Sequence, residues 1–179
     1  PSKVLDLINK NYEEIKEKKK EFQELIPELL EYQKKMQQEH EAEIYFGIEG
    51  LRTLFNEQTR ILKKGEPHYV IGITSRQDYG ETVSNFFEQL QNERDKKGII
   101  SNFILGENAR GTFDYIDKSK FSNTRYIPHA SLVAINIYKD ITIIGIFTVG
   151  NPILFKITSK FVADNFIDHF KLLWKQAKK

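Results

Sequence analysis

The chain has 179 residues, of which 40% are apolar and 29% charged, a composition typical of a soluble globular protein with a core of its own. Its 27 basic and 25 acidic side chains leave a formal charge of +2, which argues against the broad basic surface of a duplex-binding protein. The absence of cysteine excludes disulfides, a thiolate nucleophile and cysteine-ligated zinc, and it suits a reducing compartment.

The apolar runs along the chain are short. The longest ones, such as "ITIIGIF", fall well below the roughly 20 residues that a membrane-spanning helix needs, and no signal-peptide pattern opens the sequence. We therefore expect a cytoplasmic protein with no membrane partner. The first residue is Pro rather than Met, which leaves room for further sequence ahead of it.

Residues 2 to about 40 lack glycine and repeat apolar positions at helical spacing. Leu5, Tyr12, Lys19, Ile26 and Gln33 form one heptad series, and Ile8, Ile15, Phe22, Leu29 and Met36 form the other. The remaining faces are dense in Glu and Lys, so this narrow apolar stripe is expected to pack against another surface. That surface is either a partner helix in a dimeric coiled coil or the chain's own globular domain.

Two positions of the heptad pattern are polar, Lys19 and Gln33, and they weaken the predicted seam. Pro27 lacks the N–H that would reach back to Gln23, so it should kink or break the helix. One helix, or two helices at about 3–25 and 28–40, are both compatible with the pattern. The predicted domain boundary follows, with coiled-coil helices in 1–41 and an α/β domain in 42–179.

From about residue 43 the spacing of the apolar residues changes, and segments with the pattern of a strand alternate with segments that have the pattern of a helix. Predicted strands are "EIYFG", "HYVIGIT", "IISNFIL" and the segments near 123–127, 131–138, 141–148 and 152–158. Predicted helices are 50–64, 79–97, a short one within "ENARGTFDYIDKSKF", and 160–177. Early β-α-β crossovers followed by a run of strands and a closing helix predict a mixed sheet with helices on both faces.

Local signals mark the ends of these elements. Gly47 and Gly50 are expected to bracket a turn, and Asp78 with Glu81 resembles a capping box that opens the 79–97 helix. The closing helix is expected to bury five large side chains: Phe161, Phe166, Phe170, Leu173 and Trp174.

Several stretches in a fixed order resemble a known family. They are "FQELIPELLEYQKK", "YFGIEGLRTLFNEQTRIL", "TRYIPHASLVAINIYKDITIIGIF" and "PILFKITSKFVADNFIDHFKLLW". Together they are similar to the region that follows the DNA-binding domain in archaeal TrmB-like transcriptional regulators. The resemblance implies a dimerising coiled coil followed by a phospholipase D-like α/β sensor domain. No winged helix-turn-helix precedes the coil here, so DNA contact is expected only through an N-terminal domain absent from this chain.

The stretch "YIPHASLVAIN" has the spacing of a phospholipase D-type half-site. His129 stands where phospholipase D-type enzymes have their nucleophile. Ser131 stands in place of their phosphate-binding Lys, and Asn136 stands in place of their acid. Without the cation and the carboxylate, transition-state stabilisation is lost. We therefore expect no catalytic residue, and a structural role for His129 stands beside ligand contact. No metal ligand and no cofactor is expected either, because the four histidines lie far apart and the sequence has no glycine-rich nucleotide-binding motif.

A ligand in an open α/β sheet is expected outside the carboxyl ends of the strands. Residues predicted at that edge are Thr74, Ser75 and Arg76, followed by Glu107, Asn108 and Arg110 after the next strand, with Tyr126, His129, Ser131 and Asn136 as further candidates. Arg76 and Arg110 could hold a carboxylate or phosphate, or they could be ordinary surface arginines.

The sequence thus favours a homodimeric, effector-sensing region of a TrmB-like regulator that is not an enzyme. A dimer scaffold without a small ligand is the alternative, and a phosphodiesterase comes third. The effector itself is not predicted.

Overall fold

The computed structural model describes residues 2–73, 80–130, 133–147 and 151–179, while the side chains of residues 2–10, 13 and 31–39 fall outside that description. The chain divides into two compact units, residues 1–40 and 41–179. We call the first the helix unit and the second the α/β unit, and each is described by itself.

The helix unit contains a single helix, α1 (Ser2–Glu39), which continues through Pro27. A proline in a helix interior costs about 3 kcal/mol because one backbone hydrogen bond is lost and the ring clashes with the preceding turn. Here the flanking turns are rich in Glu, Lys, Leu and Gln, which favour helix and allow it to continue. The alternative of two separate helices is therefore not the structure of this segment.

Apolar side chains of α1 are exposed. Their exposed fractions are 65% for Tyr12, 66% for Ile15, 67% for Phe22, 48% for Ile26 and 61% for Leu29. These residues, which we call the α1 stripe, are the described members of the predicted dimer seam. Leu5 and Ile8 belong to α1, but their side chains lie outside the described part of the chain.

The α/β unit follows the predicted order of elements. Its helices are α2 (Gly47–Ile61), α3 (Gly80–Lys97), α4 (Asp114–Asp117) and α5 (Lys160–Gln176). Its strands are β1 (Glu41–Phe46), β2 (Pro67–Ile73), β3 (Ile100–Gly106), β4 (Ser122–Ile127), β5 (Val133–Tyr138), β6 (Ile141–Ile146) and β7 (Ile153–Thr158).

The described strands form one seven-stranded sheet in the order β1-β7-β6-β5-β2-β3-β4. β2, β3 and β4 are parallel neighbours, whereas the other neighbouring pairs are antiparallel. The parallel part comes from the β-α-β crossovers through α3 and the segment that contains α4, and the antiparallel part comes from consecutive short connections. The prediction of a mixed sheet is confirmed.

Each face of the sheet has its own core, because alternate side chains of a strand point to opposite faces. On one face, which we call the α3 face, the buried cluster combines Val70, Phe103 and Ala134 with residues of α2 and α3. On the other, the α5 face, Ile71 and Ile104 pack with Phe170 of α5. Helices cover both faces, as the α/β pattern predicted.

The start of α2 differs from the predicted turn. Gly47 and Gly50 lie inside the helix, which begins at Gly47 rather than at residue 50. Gly47 has a φ of +65°, a conformation that suits glycine, and a Cβ at Gly50 would lie 3.0 Å from the Cβ of Tyr45. Both glycines therefore allow the chain to enter the helix directly from β1.

The closing helix α5 buries only part of the predicted set. Ser159 caps it by accepting a hydrogen bond from the Val162 N–H at 3.2 Å, and Phe170 is 3% exposed. Phe161, however, is 71% exposed, so its predicted burial is wrong. It lies nine residues before Phe170, about two and a half helical turns, and therefore on the opposite side of the helix.

Candidate functional site

Two of the predicted cleft residues lie together. The guanidinium of Arg110 sits 3.7 Å above the ring of Tyr126, in cation–π geometry. The same guanidinium donates two hydrogen bonds, of 2.9 and 3.0 Å, to the carboxylate of Glu107. This pairing lowers the pKa of the Glu107 carboxyl. Arg110 is thus near the predicted edge, but its charge is already matched by a carboxylate.

The other predicted edge residues are less informative. Thr74, Ser75, Arg76 and Ser131 lie outside the described residues. His129 is exposed in the segment between β4 and β5. A ligand-binding role for this edge stays a prediction.

Asn136 lies in the middle of the sheet, paired with Val70 of β2, and its side chain is buried on the α3 face. Its Oδ1 is 3.1 Å from Nε2 of His68, a distance at which a neutral imidazole N–H donates to the amide oxygen. The position that an acid would occupy in the half-site therefore contacts a different histidine from His129.

His68 is fully buried at the start of β2. Burial lowers its pKa well below the ordinary 6.5, and the charge of Arg94 lowers it further, while the bond to Asn136 acts in the opposite direction. The imidazole is therefore neutral at pH 7. Its Nδ1 has no hydrogen-bond partner among the described residues.

Arg94 of α3 is the least expected buried residue of the α/β unit, with only 3% of its surface exposed. Its Nη2 donates to Oε1 of the equally buried Gln58, and its Nε has no hydrogen-bond partner within the described part of the chain. Burial lowers the pKa of the guanidinium to about 10, so it keeps its charge at neutral pH. In the described ranges, no carboxylate forms an ion pair with it.

A cavity of about 40 Å³ lies between α3 and the sheet, and Arg94 is part of its wall. Its other polar walls come from Ser84, Gln91 and Asn136. The apolar walls are Val70, Ile73, Phe87, Phe103, Phe113, Tyr115, Ile116, Ala134 and Phe147. This space, the Arg94 cavity, would hold about three water molecules or a small ligand.

The sequence does contain a signal for this cluster. His68 and Val70 alternate along β2, which places His68 on a buried face. Ser84, Gln91 and Arg94 recur at intervals of seven and three residues, so they share the buried face of α3 with Leu90. A search for motifs of fixed spacing misses them, because β2 and α3 meet only in the folded chain.

The described residues offer no group of three or more His, Asp or Glu side chains that could hold a metal ion. Among the same residues, no helix is both long enough and apolar enough to cross a bilayer.

Comparison with known proteins gives a likeness at the level of the fold. Neither a protein-family model nor a curated protein matches the sequence. The fold is similar to that of TrmBL2, an archaeal chromatin protein described as showing a novel mode of DNA binding, with a TM-score of 0.54 and 14% identity over 89% of this chain and 67% of TrmBL2. It is also similar to NucT from Helicobacter pylori, with a TM-score of 0.57 and 13% identity over 78% of this chain and 99% of NucT.

At these identities the likeness establishes the fold and leaves the activity open. The chain therefore has a mixed α/β architecture whose fold is similar to the folds of TrmBL2 and NucT.

Proposed function

We propose that this chain is the dimerisation and effector-sensing region of a TrmB-like transcriptional regulator and that it has no catalytic activity. The observation that carries the proposal is the α1 stripe, which presents large apolar side chains to solvent along a 38-residue helix. Burial of each such side chain stabilises a complex by roughly 1.5–3 kcal/mol, so a second copy of the helix is a favourable partner.

The Arg94 cavity supports the sensing part of the proposal. A cavity that combines apolar walls with a few converging polar groups is the usual form of a small-molecule site. The likeness to TrmBL2 supports the regulatory part, since that protein is described as binding DNA. For this chain, DNA binding is proposed to reside in an N-terminal domain outside these 179 residues.

The half-site supports the absence of catalysis. Asn136 is an amide, and it is buried against His68 rather than placed to orient His129 as a carboxylate would be. A phosphodiesterase also needs a cation at the reacting phosphate, and the sequence has Ser131 where the family has Lys. Turnover of bis(p-nitrophenyl) phosphate that disappears in His129→Ala would overturn this part of the proposal.

The α1 stripe is tested by sedimentation velocity of the chain with Ile15→Lys and Phe22→Lys combined. Two charges in the seam should shift a dimer toward monomer, because each ammonium would have to be desolvated there. The control combines Glu17→Lys and Glu24→Lys, which change the charge more but lie on the outer face by the heptad pattern. A dimer that survives the first pair of substitutions, or dissociates equally with both, would refute the proposed seam.

One feature of the α/β unit favours the alternative of a dimer scaffold without a ligand. Ile44 and Phe46 of the edge strand β1 are 56% and 65% exposed. They pair with Phe155 and Ile153 of β7 and so continue an apolar row on the α5 face. If Ile44→Lys with Phe46→Lys dissociates the dimer while the α1 substitutions do not, the scaffold is the better description.

A further inference from the structure

We infer that the Arg94 cavity binds a small monocarboxylate, whose carboxylate pairs with the guanidinium of Arg94. The inference deepens the proposed function, because it rests on the cavity being the effector site and names the chemical class of the effector.

Arg94 has a buried positive charge that no carboxylate of the described residues balances. Only 3% of the surface of Arg94 is exposed to solvent, and its Nε has no hydrogen-bond partner among the described residues. A buried cation without a counter-charge is costly, and natural proteins pair such groups with an anion. Gln58, its described hydrogen-bond partner, supplies a carbonyl dipole but no negative charge.

The second step is the charge of the ligand. Arg94 is the one cationic side chain in the cavity wall as described, and nearby His68 is neutral at pH 7. A monoanion would balance this single charge, whereas a dianion such as sulfate would leave a negative charge buried without a partner. The planar guanidinium also suits a carboxylate, which can accept from two N–H groups in parallel.

The third step is size and shape. The cavity volume of about 40 Å³ holds a ligand of a few heavy atoms rather than a sugar or a nucleotide. Apart from Arg94, Gln91, Ser84 and Asn136, the walls are aromatic and aliphatic, so the remainder of the ligand should be a short apolar chain. Propionate has a single negative charge, a planar carboxylate and a short apolar chain, and it is therefore the probe for this site.

The test measures binding of sodium propionate to the whole chain by isothermal titration, together with its effect on Tm. Propionate should bind and raise Tm, because a ligand of the folded state stabilises it. Propionamide has the same shape without the charge and should bind at least about tenfold more weakly, and sodium sulfate, a dianion, should give no response. Equal responses to propionate and propionamide would overturn the inference.

Matched variants locate the site. Arg94→Met should weaken propionate binding by about tenfold or more, since a charge-assisted pair is lost, whereas Arg110→Met should leave it unchanged. If Arg110→Met abolished propionate binding while Arg94→Met retained it, the site would lie at the predicted strand edge and the inference would be refuted.

If Arg94→Met fails to fold, Ala134→Val provides a second route, because it keeps Arg94 and fills part of the cavity from β5. It should also weaken propionate binding, and an undiminished affinity would contradict the cavity as the site.

Oligomeric state separates this inference from the proposed function. A dimer that binds no propionate would refute the ligand class and leave the dimerisation region standing. A monomer that binds propionate would leave the site standing and refute the proposed function.

Discussion

The two units of the chain differ in how far their apolar side chains are buried. In the α/β unit, residues such as Leu54, Ile143 and Leu154 are completely buried, and two clusters fill the space between the sheet and its helices. In the helix unit, Ile15 and Phe22 are about two-thirds exposed. The α/β unit can therefore draw its stability from within, whereas the helix unit gains stability when a partner covers its stripe.

A second contrast lies within the α/β unit. Its α5 face is held mainly by apolar contacts, such as the Phe170 and Trp174 rings, whose centroids are 5.2 Å apart. Its α3 face buries Gln58, His68 and Arg94, three polar groups that each leave an atom without a hydrogen bond among the described residues. The α5 face also has unpartnered polar atoms, at Arg125 and Thr142, but in the described residues only the α3 face has an almost fully buried cation, Arg94, among them, and this makes it the candidate for function.

The largest effect is expected for Phe170→Ala, which removes a buried ring from the α5 face. The free energy of unfolding of the α/β unit should fall by about 3–5 kcal/mol, from the lost transfer energy and the cavity that remains. Phe161→Ala in the same helix is the control, and it should change stability by less than about 0.5 kcal/mol because Phe161 is exposed. Urea denaturation measures both, and equal losses would show that the contrast in burial is false.

Asn136→Ala tests the polar α3 face. His68 would lose its described hydrogen-bond partner, and the free energy of unfolding should fall by about 1–3 kcal/mol. The matched control is Asn123→Ala, which removes an exposed amide bonded to Asn102 at 3.0 Å and should cost little. A double variant, His68→Leu with Asn136→Leu, should recover part of the loss, since neither of these two positions then carries an unpaired polar group. No difference between Asn136→Ala and Asn123→Ala would contradict the account of this face.

The buried His68 predicts a loss of stability in mild acid. Its pKa is well below 6.5 in the folded state, so the unfolded chain takes up the proton first as pH falls through 6.5. Between about pH 6.5 and 5 the free energy of unfolding should decrease by up to about 1.4 kcal/mol per pH unit. The carboxyls with lowered pKa values, such as Glu43 and Glu66, act in the same direction but below their ordinary value of 4.5.

Chemical denaturation across this pH range, with His68→Gln and the exposed His40→Gln side by side, measures the effect. His68→Gln should flatten the profile, whereas His40→Gln should leave it unchanged. An equally steep profile in the His68 variant would assign the acid sensitivity to other groups.

The smallest effect is expected for Lys118→Met, which removes an exposed ion pair with Asp114 of 3.0 Å. Such pairs contribute between roughly 0 and 1 kcal/mol because water and salt screen them. Thermal unfolding at low and high salt should show little change in Tm. A loss as large as that of Asn136→Ala would mean that α4 depends on surface charge far more than its exposure indicates.

The order of elements in the α/β unit was predictable because apolar residues recur at different spacings in its strands and in its helices. The positions of β2, β3 and α5 agree with the sequence pattern to within one or two residues. Errors arose where one residue admits two physical roles. Gly47 suits a turn or the first residue of a helix, and an aromatic residue such as Phe161 near a helix start is compatible with either face.

The candidate site was predictable only in part, because it depends on contacts between distant segments. The strand-edge argument brought Arg110 and Tyr126 together, and the structure places them in contact. It gave no reason to join Asn136 to His68, which lies 68 residues earlier in the chain. The burial of Arg94 follows from helical spacing, but its missing counter-charge becomes evident only when its neighbours are known.

The measurement that tests the central claim most directly is the sedimentation-equilibrium mass of the whole chain beside that of residues 41–179. The account predicts a dimer for the whole chain and a monomer for the α/β unit alone, because the α1 stripe is the proposed seam. A monomer in both cases, or a dimer of undiminished affinity without α1, would contradict dimerisation through the helix unit.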